Sequence, residues 1–112
     1  MTHIDDARQA ILELGSEDYY ALADAAVYLP TVPPERRLDV AMEAMLSLLR
    51  EGSVQIFFGR LATNDVAAVP LEAAEVAVRD PRSWDLEGNP REIFCFANTP
   101  NGDELYFGGG AA

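Results

Sequence analysis

The run from Pro33 to Gly52 limits the possible folds more than any other part of the chain. Two prolines open it, at the one place in a helix where a missing N–H is tolerated. Leu38, Ala41, Met42, Met45, Leu48 and Leu49 then recur at the spacing of a single helical face, and Gly52 follows as a stop. Arg36, Asp39, Glu43, Ser47 and Arg50 make the opposite side. A helix so patterned gains its stability by burying the apolar stripe against something else. Immediately after it, Ser53–Arg60 alternates as a strand, with Val54, Ile56 and Phe58 on one face and Phe57 on the other. The pair predicts an α+β domain.

The flanking sequence adds elements of both kinds. Ala7, Ala10, Ile11 and Leu14 predict a helix that Gly15 ends, with Ser16 as the N-cap of a second. Tyr20, Leu22, Ala23, Ala26 and Val27 carry this second helix to Leu29-Pro30. Beyond the first strand, a linker through Thr63-Asn64-Asp65 leads to a short helix over Pro70–Arg79, where Glu75 and Arg79 stand at pairing distance. Asp80-Pro81 breaks it, because the residue before a proline avoids the α region. A turn-rich loop over 82–90 follows, then a strand over Glu92–Asn98. Asn101-Gly102 predicts a tight hairpin returning through Glu104–Phe107. The expected organisation is one domain over residues 1–107 and a flexible tail over 108–112.

Charge then restricts the partner. Nineteen acids stand against eight basic residues, all of them arginine, for a formal charge of −11. Such a polyanion repels phosphate and favours encounter with cationic surfaces. The N-terminal residues lack a signal-peptide pattern and no apolar run approaches bilayer length, so a cytoplasmic protein without membrane contact is expected. Cys95 is the single cysteine and, between Phe94 and Phe96, reads as a buried strand thiol.

Two stretches carry a resemblance. Leu46-Ser47-Leu48-Leu49-Arg50-Glu51-Gly52-Ser53-Val54 resembles the junction of a recognition helix with its wing, and Thr99-Pro100-Asn101-Gly102 resembles the turn leaving the wing in PadR-like and MarR-like regulators. The resemblance implies a winged-helix-like fold, with three N-terminal helices on a small antiparallel sheet and a helical insertion in the wing. It also implies DNA reading by Arg36, Arg37, Arg50 and the wing residue Arg60. This chain departs from the pattern in two ways. Residues 61–91 separate the two wing strands, and the exposed side of the third helix mixes its arginines with Asp39, Glu43 and Glu51.

Catalytic constellations are missing from the sequence. There is no lysine for a phosphate-binding loop, and His3, the single histidine, would have to serve any nucleophile from the chain terminus. No cofactor or metal pattern is present beyond a faint calcium-loop echo at Asp85-Leu86-Glu87-Gly88-Asn89. A non-catalytic protein-binding module for a basic protein partner is therefore expected. Its most concrete form is an immunity protein or antitoxin that covers the cationic site of a nuclease-type toxin. The expected contact residues are Glu72, Glu75, Asp80, Trp84, Asp85 and Glu87, all in the wing insertion. Trp84 has two readings, an interface anchor or a plug that holds its loop to the preceding helix.

Overall fold

A computed structural model describes residues 3–88 and 90–108. The amphipathic run becomes a 3₁₀ turn at Pro34–Arg36 followed by helix α3 (Arg37–Arg50), after α1 (His3–Glu17) and α2 (Leu22–Val27). Val40, Ala41, Ala44, Met45, Leu48 and Leu49 form its buried stripe. The helix ends as its sequence requires. Gly52 takes φ 79°, its N–H donates to the Leu49 carbonyl at 3.2 Å, and the Ser53 N–H donates to Leu48 at 2.9 Å. Glycine adopts that left-handed turn without a Cβ penalty, and the turn points the chain straight into the sheet.

The sheet has four strands: β1 (Tyr20–Ala21), β2 (Val54–Arg60), β3 (Asp65–Ala68) and β4 (Ile93–Asn98). Their spatial order is β1-β4-β2-β3, and every neighbouring pair is antiparallel. The three N-terminal helices pack on one face, α1 and α2 on β4 and α3 on β2, to give the α+β architecture. Ile11, Leu22, Met45, Leu48, Ile56 and Phe96 are fully buried between the two layers. α4 (Leu71–Arg79) packs beside α3.

The C-terminal hairpin does not form. Residues after Asn98 enter a short helix α5 (Pro100–Asp103) that continues as a π-helical turn, Glu104–Gly108. β4 is paired on both edges, by β1 and by β2, so a return strand has nowhere to hydrogen-bond. Thr99 instead caps the helix by accepting from the Gly102 N–H at 3.2 Å, and Pro100 fits the first turn. Of the tail expected over 108–112, Gly108 belongs to that turn and the rest lies outside the described residues.

Gly15 does not end α1, which runs on to Glu17, and Ser16 is not an N-cap but donates its hydroxyl to the Glu13 carbonyl at 2.7 Å. A Cβ on Gly15 would collide with Oδ1 of Asn98. The Asn98 amide meanwhile donates to the Leu12 carbonyl at 2.9 Å and to Asp103 at 3.2 Å. Gly15 is thus a contact point between helix and sheet. The second helix begins only at Leu22, because Tyr20–Ala21 is taken by pairing to Phe96 and Cys95 and the Ala21 N–H goes to Asp24 at 3.2 Å. β1 and β3 were not expected from the residues. β1 has two residues, too few to show period two, and β3 carries only one β-branched residue, Val66.

Candidate functional site

Period two places Phe58 with Val54 and Ile56 on the helix-facing side of β2, and the register pairs it with Phe94 of β4. Burial nevertheless falls along that face, from 0% exposure at Ile56 to 39% at Phe58. The helices cover only the half of the sheet nearest the α3 junction. Beyond it the Phe58 and Phe94 rings meet at a tilt of 51°, centroids 4.7 Å apart, with Phe58 exposed and Phe94 half-buried.

The segment after α4 walls this aromatic floor. Asp80 caps the 3₁₀ turn Pro81–Trp84 by accepting from the Arg82 N–H at 3.0 Å. Trp84 points inward, 7% exposed, and its indole N–H donates to the Val78 carbonyl at 2.9 Å. The tryptophan is therefore a plug between the turn and α4, with no surface to offer a partner. With this anchor in place the following residues lean over the sheet edge. Asp85 accepts from the Glu87 N–H at 2.8 Å, which tightens the loop, and Leu86 stays exposed.

The result is a recess of about 460 Å³ with Phe58, Phe94, Ile93 and Leu86 as its apolar surface. Asp80, Asp85, Glu87 and Glu92 line it with carboxylates, and Arg82 is the basic residue among its lining. Arg82 is already engaged, since its guanidinium reaches Asp80 Oδ2 at 3.0 Å. That bond holds the Asp80 carboxyl below the ordinary carboxylate range, with the backbone bond from Arg82 adding to it. An exposed pair of this kind contributes little to stability. Asp85, Glu87 and Glu92 face solvent as open negative charge.

Three of the six expected contact residues, Asp80, Asp85 and Glu87, therefore share one groove. Glu72 and Glu75 do not join them. Glu72 sits exposed in the first turn of α4, and Glu75 accepts from Arg50 Nε at 2.6 Å. That bond, from a helix-to-helix contact rather than from Arg79 one turn on, holds the Glu75 carboxyl below its ordinary value. Phe58, Phe94, Leu86 and Glu92 complete the groove and were missed. A lone leucine amid turn residues was the one available signal.

The arginines suggested for DNA reading are dispersed in their uses. Arg37 Nε donates to the Leu29 and Val32 carbonyls at 3.1 and 3.0 Å, where it fastens the α2–α3 connection, and Arg50 is held by Glu75. Arg36 is exposed at the start of α3 and Arg60 at the far end of β2. Cys95 is buried and its thiol is pushed up to about 11 by desolvation, so it is a poor nucleophile at neutral pH. Among the described residues no cluster of three or more His, Cys, Asp or Glu side chains is arranged to hold a metal, and no helix is long and apolar enough to cross a membrane. No family model, curated protein or solved structure matches the chain.

Proposed function

We propose that the chain is a non-catalytic binding module that takes a basic segment of a protein partner into the groove over Phe58 and Phe94. One observation carries the reading. A partly exposed aromatic pair shares a recess of about 460 Å³ with three exposed carboxylates, Asp85, Glu87 and Glu92, that make no ion pair. An arginine or lysine suits that arrangement on both counts. Its stem and planar head lie on the rings, and its charge meets Asp85, Glu87 and Glu92. The overall −11 charge accelerates the encounter at long range. Protein binding through carboxylates that stand where phosphates would otherwise bind fits an immunity protein or antitoxin acting on a cationic nuclease-type toxin.

A winged-helix plan accommodates this reading. The β1-β4-β2 sheet beside three helices supports that plan, on which β3, α4 and the Trp84 turn would be an insertion between wing strands β2 and β4. The insertion then forms the groove wall, and the departure from the simple fold is what builds the binding surface.

Salt-titrated affinity capture from native lysate tests the proposal, run beside a triple variant Asp85→Asn, Glu87→Gln, Glu92→Gln and a floor variant Phe58→Ser. A cationic protein retained by the natural chain, released as salt rises and lost in both variants, is the expected result. Retention that ignores both salt and the carboxylates refutes it.

A further inference from the structure

A second recess, of about 450 Å³, adjoins the acidic groove across Leu86, Pro90 and Ile93 and has the opposite character. Arg60 and Arg91 line it, together with Leu61 and the three shared apolar residues. Gly59 and Ile93 form the last β2–β4 pair, so Arg60 and Arg91 stand on the two chain segments that diverge from one end of the sheet. No carboxylate lines this recess, whereas acids line the others: Asp85 and Glu87 in the groove, Glu104 beside α5, and Glu13 with Glu17 beside α1.

The two guanidiniums are also unbonded. Arg8 is held by Ser47 and Glu51, Arg37 by two carbonyls, Arg50 by Glu75 and Arg82 by Asp80. Among the described residues the guanidiniums of Arg60 and Arg91 make no hydrogen bond or ion pair; those of Arg36 and Arg79 make none either but line neither recess. On a chain of net charge −11, two unbonded guanidiniums over an apolar wall make this recess locally cationic, with Asp65 opposite Arg60 in the β2–β3 register and Glu92 next to Arg91 both outside its lining. Guanidinium forks match carboxylate geometry, and a recess of this size lies in the range of small-ligand sites.

We propose that the Arg60–Arg91 recess binds a small organic monoanion, a carboxylate or sulfonate with an apolar body. The head group lies between the two guanidiniums and the body covers Leu61, Leu86, Pro90 and Ile93. A polyphosphate suits the place poorly. It gains nothing from the apolar wall and meets the full repulsion of the surrounding acids. The site is independent of the acidic-groove reading and stands or falls separately.

Anilinonaphthalene sulfonate is the probe, with N-phenyl-1-naphthylamine, which has the same rings and no sulfonate, as the neutral control. Saturable fluorescence enhancement is expected for the sulfonate, displaced by decanoate and weakened about tenfold or more in Arg60→Gln/Arg91→Gln through the loss of two charge-assisted contacts. Arg60→Lys/Arg91→Lys keeps the charge without the fork and binds between the natural chain and the glutamine variant. Amide shifts on titration centre on Leu61, Leu86 and Ile93. Far-ultraviolet circular dichroism verifies that the variants fold. Unchanged affinity in the glutamine variant, equal binding of the neutral control, or no saturation below millimolar probe overturns the proposal.

Discussion

Replacing Gly15 with alanine reverses the usual sign of a helix substitution. Within an ordinary helix, glycine to alanine gains about 1 kcal/mol, because the backbone loses less freedom on folding. At Gly15 the new Cβ meets Asn98 Oδ1 and lies 3.0 Å from the Asn98 backbone nitrogen. Asn98 has to turn away and give up its bonds to the Leu12 carbonyl and the Asp103 carboxylate. A neutral hydrogen bond is worth about 1 kcal/mol and one to a charged group about 1.5–3. Subtracting the propensity gain leaves a net loss of about 1–3 kcal/mol, or a fall in Tm of roughly 4 °C for each kcal/mol.

Urea melts followed by the fluorescence of Trp84, the single tryptophan and a core residue, measure this directly. Asn98→Ala clears Oδ1 from the path, so Gly15→Ala costs less in that background than in the natural chain. A positive coupling between the two sites is expected in the double-mutant cycle. If Gly15→Ala alone equals or exceeds the natural stability, then the glycine is only a helix-end signal and the packing argument is wrong.

Trp84→Phe loses the indole bond to Val78 and part of the ring volume, about 1–3 kcal/mol, and Trp84→Ala about 3–5 kcal/mol. Trp84→Phe, which keeps a ring in the slot, leaves partner affinity measured well below Tm near that of the natural chain, whereas Trp84→Ala frees the loop that carries Asp85 and Glu87 and lowers it; a large affinity loss in the fully folded phenylalanine variant contradicts the plug role. Burial raises the Cys95 thiol from its ordinary 9.0 to about 11, so the folded state keeps a proton that the unfolded chain releases. Its contribution is complete below pH 9 and disappears between pH 9 and 11, on the order of 2–3 kcal/mol at full ionisation. Urea stability against pH, taken as the difference between the natural chain and Cys95→Ala, shows that decline, and a flat difference refutes it.

Local signals carried β2, α4 and β4 to within a residue and α3 with its glycine stop, although the turn opened by Pro33-Pro34 is 3₁₀ and becomes α-helical only at Arg37, since each rests on a periodicity several residues long. They failed where a short segment is decided by its neighbours. Asn101-Gly102 has hairpin chemistry, yet a hairpin needs an open strand edge, and β1 and β2 occupy both edges of β4. Gly15 reads as punctuation until Asn98, distant in sequence, is seen packed against it. The acids of the groove were legible as residue types. Their grouping was not: Glu75, one turn along α4 from its expected partner, goes to Arg50 on a different helix. Trp84 shows the same limit, because exposure and not residue type separates an anchor from a plug.

The amino-acid order by itself determined the α+β class and the anionic body, because periodicity and net charge are properties of the chain wherever it folds. Tertiary structure alone decided where the charge is gathered and left exposed. Helices cover half the sheet face, Trp84 pins the loop over the other half, and Arg50 and Arg82 engage two of the carboxylates. What remains open is Asp85, Glu87 and Glu92 above Phe58 and Phe94, with Arg60 and Arg91 on the neighbouring side of Leu86. Proximity across the sheet end made these two sites, and proximity between distant residues is a product of packing.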